Sequence, residues 1–453
     1  MKTVLTIFGA TGNLMHKKLA LALIQLLKQK QIDDSFQIIC VSRRDYTTEM
    51  YFEHLKEFVK SDIDLDVLKN NLEYVKMDIM DLNDYTMLRK KIESKSSFPY
   101  QSLFYLAVAP EFFVDIASGI SNAKLIEKGN SIGRIVFEKP FGVSFGSAKE
   151  INQKLSEYFE ENQIFRIDHY LGKDMIQNIL VMRFANRLLE NNWSSDSISQ
   201  VSIDVKETEG IGNRGEYYDS SGALKDMIQS HLLQMLALVA MEEPKSLSSD
   251  DIRKEKIKVL QNTIVKTQNA VFGQYEGYLF EQKIPQDSIT ETFVFLKAEV
   301  STPRWKNVPF FLTTGKKLNE KKAEIIIDFK EHSSAKKLWP NNNHTSNQLV
   351  IGISEYEGIR FQMNVKKPGL NDTVSDALLD YCHSCQKIGN NPEAYEKLLK
   401  DFIVNNSTLF TSWKEIEASW NIIDHLKKDL SNPVIYKSIS DFADIISKVK
   451  RGV

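Results

Sequence analysis

Along the first third of the chain, short apolar runs alternate with amphipathic stretches. Residues 4–8 are apolar and stop at Gly9-Ala10-Thr11-Gly12-Asn13-Leu14, after which Leu19, Ala20, Leu23, Ile24 and Leu27 recur at the helical period. That order predicts a strand, a glycine-rich turn and a helix. A second strand is predicted over 36–42, and more over 72–75, 103–108, 134–137 and 164–168, with helical or polar segments between them. Alternation of this kind implies an α/β domain on a mainly parallel, doubly wound sheet. Ligands bind such sheets at the carboxyl ends of the strands.

Beyond about residue 175 the pattern changes. Met175, Ile176, Ile179, Leu180, Met182 and Phe184 predict a helix within 173–189, and period-2 alternation follows over 198–207. Further strands are predicted over 291–300, 308–313, 323–329, 348–353 and 358–365, with few helices between them. Successive strands of this sort imply an antiparallel sheet with helices, an α+β arrangement. A helix is predicted from 222 to about 241, stopped before Pro244, and the segment 393–449 reads as three helices broken near Ser412 and Pro433. The chain therefore divides into domains 1–175 and 176–453.

Composition narrows the functional classes. With 453 residues there is length for two or three domains, and 58 basic against 60 acidic residues give a net charge of −2. No global field recruits nucleic acid or an anionic membrane. No stretch reaches the roughly 20 apolar residues of a membrane span, and the first apolar run is too short for a signal-peptide core. Three cysteines (Cys40, Cys382, Cys385) make no disulfide framework and point to a reducing, cytoplasmic setting. Cys382-His383-Ser384-Cys385 has C-x-x-C spacing, but a structural zinc wants four ligands and there is no second pair, so the motif reads as incidental.

Chemistry concentrates in Arg166-Ile167-Asp168-His169-Tyr170-Leu171-Gly172-Lys173-Asp174, where a strand gives way to a helix. His169 and Lys173, four residues apart at a helix start, can grip one anion together with backbone N–H groups. The Gly9–Gly12 turn removes side chains that would hold a pyrophosphate away from the next helix. The second strand ends in Arg43-Arg44, where a site for unphosphorylated NAD usually places an acid; a 2′-phosphate needs a cation, and arginine binds it with a planar fork. Glu138-Lys139-Pro140-Phe141-Gly142 ends another strand. In the later half, His231 lies on the apolar face of its helix, three and four residues after Ile228 and Met227 and four before Met235. Lys316 and Lys321 follow the strand at 308–313.

The 166–174 string, the Gly9–Leu14 turn, Glu138–Gly142, the segment Asp226-Met227-Ile228-Gln229-Ser230-His231-Leu232-Leu233-Gln234 and Val308-Pro309-Phe310 with Lys316 and Lys321 together resemble the glucose-6-phosphate dehydrogenase family. Likeness covers essentially the whole chain. Asn13 stands where the family usually has Asp, and Asp174 where its signature has Glu; the second exchange keeps the charge. The resemblance implies a Rossmann-like first domain and a larger second domain for substrate binding and dimerisation. It implies oxidation of glucose 6-phosphate to the lactone without a metal, the first step of the oxidative pentose phosphate pathway. His231 would be the catalytic base and Asp168 its orienting carboxylate. Gly9, Thr11, Gly12, Asn13, Leu14, Arg43 and Lys139 would bind cofactor, with NADP favoured and NAD use left open. His169, Tyr170 and Lys173 would hold the phosphate, Glu207 and Asp226 would accept from sugar hydroxyls, Lys316 and Lys321 would bind sugar and phosphate, and Lys139 would bridge sugar and nicotinamide. It also implies a homodimer or dimer of dimers in the cytoplasm. Two rivals stand beside this reading. One is a related sugar dehydrogenase, since Glu-Lys-Pro also occurs in the Gfo/Idh/MocA group; the other is a non-catalytic NADP-binding sensor.

Overall fold

The structure is a computed structural model that describes all residues except 1, 34, 60–63, 96–99, 341–344, 371–372, 386–392, 425, 427–432 and 452–453. Its contacts divide the chain into two units, Met1–Gly172 with Pro392–Lys414, and Lys173–Asn391 with Glu415–Val453.

In the first unit, β1 (Lys2–Phe8), β2 (Gln37–Ser42), β3 (Leu72–Lys76), β4 (Tyr100–Leu106), β5 (Gly133–Phe137) and β6 (Ile164–Arg166) form one parallel sheet in the order β3-β2-β1-β4-β5-β6. Residues of one sheet face, Val4, Phe8, Ile39, Phe104, Leu106 and Phe137, meet Leu88, Ile92, Phe113, Ile116 and Leu155 from the crossover helices, all buried. Helices on the faces of the sheet are why its strands read as continuous apolar runs rather than alternations. Strand order reverses beside β1, which opens a crevice at the carboxyl ends of β1 and β4, where an open α/β sheet takes its ligand.

A domain boundary after residue 175 makes no provision for Pro392–Lys414, which belongs to the first unit. The buried Arg134 guanidinium explains its return: it donates to the carbonyls of Phe402 (3.1 Å) and Ile403 (2.9 Å), closing the carboxyl end of the helix Ala394–Ile403. Burial lowers the pKa of Arg134 to about 10. The same helix passes so close to Gly172 that a Cβ there would stand 2.8 Å from the Ala394 carbonyl oxygen.

The second unit is built on nine strands in the order β14-β13-β12-β11-β7-β10-β9-β8-β15. They are β7 (Ile198–Lys206), β8 (Thr263–Tyr275), β9 (Phe293–Val300), β10 (Pro309–Gly315), β11 (Lys322–Phe329), β12 (Gln348–Ser354), β13 (Gly358–Lys366), β14 (Val374–Cys382) and β15 (Val434–Tyr436). All neighbours are antiparallel except β7/β10 and β8/β15. β8, β14 and β15 are additions to the strands expected from the sequence. The helix expected over 173–189 is Asp174–Phe184 with a separate turn, Arg187–Glu190.

The element expected as one helix over 222–241 differs more. Gly222 has φ +65°, and the chain then forms a π-helix, Leu224–Leu232, before the α-helix Leu233–Ala240. Glu291 sets that start: its carboxylate accepts from Leu224 N–H at 2.9 Å and its carbonyl from Ala223 N–H at 2.9 Å. A Cβ on Gly222 would stand 2.3 Å from the same carboxylate, so close approach and positive φ both call for glycine there. Cys382 and Cys385 also depart from expectation, because they are joined by a disulfide rather than standing as unrelated thiols.

Candidate active site

In the first unit the glycine-rich turn is held between the ends of two strands. The N–H groups of Gly9 and Ala10 both donate to Val41 C=O at 3.1 Å, and a Cβ on Gly9 (φ +80°) would lie 2.3 Å from the Ala107 carbonyl oxygen beyond β4. Thr11 Oγ1 and Ser42 Oγ are hydrogen-bonded at 2.9 Å, tying this turn to the one carrying Arg43 and Arg44. The chain is helical from Asn13 to Lys28, and the residue before it, Gly12, has no side chain to cap its start. An uncapped helix start behind two glycines offers backbone N–H groups to an anion, so the residues present fit a dinucleotide pyrophosphate. Asn13, Arg43 and Arg44 are exposed on the same turns.

At the carboxyl end of β5 the Lys139–Pro140 bond is cis. Glu138 beside it receives the phenol of Tyr105, and loss of solvation pushes its carboxyl up to about 7. Beyond β6, buried Asp168 accepts from Tyr170 N–H at 2.9 Å, and its carbonyl accepts from Leu171 N–H at 3.1 Å. This local turn fixes the carboxylate and draws the rings of His169 and Tyr170 together, with centroids 4.7 Å apart.

In the second unit Lys173 is the residue at the start of the helix Asp174–Phe184, and no side chain caps it. Asp174 Oδ2 lies 3.3 Å from His383 Nε2. Lys316 and Glu207 form an ion pair in which the lysine is buried, its ammonium also 5.3 Å from the centre of the Tyr218 ring. Asp226 accepts from the Tyr217 phenol at 3.1 Å. Both Asp226 and His231 are buried and belong to the π-helix, whose i→i+5 bonding stacks residues five apart on one side. Lys321 is half-exposed between Glu209 (3.8 Å) and Glu355 (3.6 Å).

Within the first unit, then, the expected cofactor residues Gly9 to Leu14 and Arg43 share two joined turns. Within the second, Glu207 is brought to Lys316, while Lys321 faces other acids. Ser42, Tyr217, Glu291 and His383 were missed. Ser42 adjoins Arg43 and Tyr217 lies near Asp226, so position could have suggested both; Glu291 and His383 act on residues 67 and 209 positions away, where no local pattern reaches.

The family model described as the NAD binding domain of glucose-6-phosphate dehydrogenase matches residues 6–178, and that described as its C-terminal domain matches 180–448. The chain belongs to the glucose-6-phosphate dehydrogenase family. It is 38% identical over 447 residues to the glucose-6-phosphate 1-dehydrogenase of Bacillus subtilis (strain 168), covering 94% of this chain and 91% of that one. Likeness to the enzyme of the same name from Streptococcus pneumoniae serotype 4 is 38% over 454 residues, 94% of this chain and 90% of the relative. Among solved structures, a glucose-6-phosphate dehydrogenase in complex with its substrate glucose-6-phosphate superposes with a TM-score of 0.92 at 33% identity, over 99% of this chain and 97% of that one. In this family the parallel sheet of the first unit and the larger mixed sheet of the second are the expected pair. No helix among the described residues is long and apolar enough to cross a membrane.

Proposed function

We propose that this chain oxidises D-glucose 6-phosphate to 6-phospho-D-glucono-1,5-lactone with NADP as hydride acceptor. The observation that carries the reading is full-length identity of 38% to glucose-6-phosphate 1-dehydrogenases, over 94% of the chain. Nicotinamide, when bound, accepts the hydride from the anomeric carbon. His231 takes the proton of the anomeric hydroxyl as general base, and Asp168 orients the imidazole and stabilises its charged form. Lys173, His169 and Tyr170 hold the 6-phosphate, with Lys321 as a further cation. Lys316 is kept near the sugar by Glu207, which accepts from a hydroxyl with its remaining oxygen; Asp226 accepts from another. Lys139 contacts sugar and cofactor. Gly9, Thr11, Gly12, Asn13 and Leu14 take the pyrophosphate, and Arg43 takes the 2′-phosphate, which favours NADP over NAD. The dinucleotide domain is built on 1–175 and the substrate domain on 176–453, apart from Pro392–Lys414, which returns to the first unit; the enzyme acts in the cytoplasm as a homodimer formed through the larger sheet.

The test is steady-state kinetics with phosphorylated and free glucose, each with NADP and NAD, following reduced nicotinamide. The expected result is turnover with glucose 6-phosphate and NADP far above that with free glucose. Silence with glucose 6-phosphate, or equal rates with both sugars, overturns the assignment.

A further inference from the structure

Two tyrosines outside the reaction chemistry connect the turns that bind the cofactor. Tyr51, fully buried on the helix Thr48–Lys56, donates its phenol to the Ala10 carbonyl at 2.8 Å, inside the turn that follows β1. Tyr74 of β3 is also buried and donates to the Arg44 carbonyl at 2.6 Å, with the Ser42 carbonyl within reach at 3.3 Å. Those two carbonyls bracket Arg43. The rings of Tyr51 and Tyr74 stack with centroids 4.8 Å apart and planes 26° from parallel, and Tyr74 N–H donates to Thr48 Oγ1 at 3.1 Å. Each turn thus takes a hydrogen bond from one member of a stacked pair. Burial raises the pKa of both phenols, so both stay donors at neutral pH.

We propose that Tyr74 is a positioning residue for NADP selectivity, holding the backbone on both sides of Arg43 so that its guanidinium meets the 2′-phosphate, while Tyr51 holds the pyrophosphate turn shared by NADP and NAD. This deepens the cofactor assignment above and rests on it. An arginine fork recognises phosphate only in a narrow range of directions, and a strand-end turn with its carbonyls loose would sample many. NAD carries a hydroxyl where NADP carries the phosphate, so it gains nothing from a fixed Arg43.

The experiment is calorimetric titration of the full chain, wild type, Tyr74→Phe and Tyr51→Phe, with NADP, NAD and adenosine 2′,5′-bisphosphate. Both substitutions keep the stacked ring and remove one hydroxyl. Loss of one such hydrogen bond corresponds to roughly a three- to tenfold change in affinity. Tyr74→Phe is expected to weaken NADP and the bisphosphate by that factor and leave NAD unchanged; Tyr51→Phe is expected to weaken NADP and NAD equally. Because the NADP-to-NAD ratio is taken within one preparation, partial unfolding of a variant cancels from it. Equal weakening of both dinucleotides by Tyr74→Phe, no weakening at all, or a wild type that binds neither overturns the inference. A protein that shows the expected ratios yet fails to oxidise glucose 6-phosphate keeps the inference and overturns the proposed reaction alone.

Discussion

Lys316 and Glu207 meet because they are the next residues beyond two parallel neighbours: Gly315 of β10 is in register with Lys206 of β7, and Glu207 N–H donates to Gly315 C=O at 2.9 Å. The ammonium is buried and the carboxylate about one-third exposed, so the pair keeps a cation beside a surface that solvent can reach. Glu207→Gln replaces a charge-assisted bond, worth roughly 1.5–3 kcal/mol, by a neutral one. The expected outcome is a rise of about tenfold or more in KM for glucose 6-phosphate, with a lower melting temperature. Unchanged KM in steady-state assays removes Glu207 from the sugar site.

His231→Asn should lower kcat by roughly two to four orders of magnitude, the range of general-base catalysis, with little effect on KM. Asp168→Asn combined with it should cost less than the two single losses added together, as for residues that act on one proton. Additive losses in kcat would separate the two roles.

Lys173→Ala removes an ammonium from the start of a helix that no side chain caps. Its loss should raise KM for glucose 6-phosphate by about ten- to a hundredfold, from roughly 1.5–3 kcal/mol of charge-assisted contact. Any residual rate with free glucose should stay as it was. Parallel losses with both sugars would show that Lys173 does not read the phosphate.

Glu291 yields a prediction about stability. Burial raises its pKa from 4.5 to about 7, so the folded state holds its proton more tightly than the unfolded chain does. Stability from this group is complete below about pH 4.5 and is lost as pH rises to about 7. Glu291→Gln keeps an acceptor for Leu224 N–H but cannot ionise. Guanidinium melts should therefore show the variant gaining on wild type across that window and holding a constant difference above it. Parallel curves throughout would mean that the carboxyl does not titrate there.

The first sheet was legible because helix-covered strands leave largely apolar runs, and β1, β4 and β5 are each followed within four residues by glycine or proline. Much of the second sheet was legible from alternation. β14 was not: Leu378 and Leu379 are adjacent in sequence and more than half exposed, so neither face of the strand has an apolar period. Nor was β8, where the pairing shifts register between Val265 and Ala270 and polar residues 266–269 interrupt the pattern. β15, with three residues, has no period at all. The motifs of the site could be found because chemistry-bearing residues cluster at strand ends. Their supports could not, since Glu291, His383 and Tyr74 reach their partners through folding over long sequence distances. The π-helix under His231 belongs to the same class, its start being set by Gly222 and a carboxylate 67 positions beyond Leu224.

The return of Pro392–Lys414 to the first unit has a consequence for biogenesis. A ribosome making this protein releases the six strands of the parallel sheet early, yet the Phe402 and Ile403 carbonyls that satisfy Arg134 arrive only after more than two hundred further residues. Until then, of the carbonyls that take the Arg134 guanidinium in the folded chain, only that of Ser131 (3.2 Å) is at hand, so the first unit is completed only when nearly the whole chain has been made.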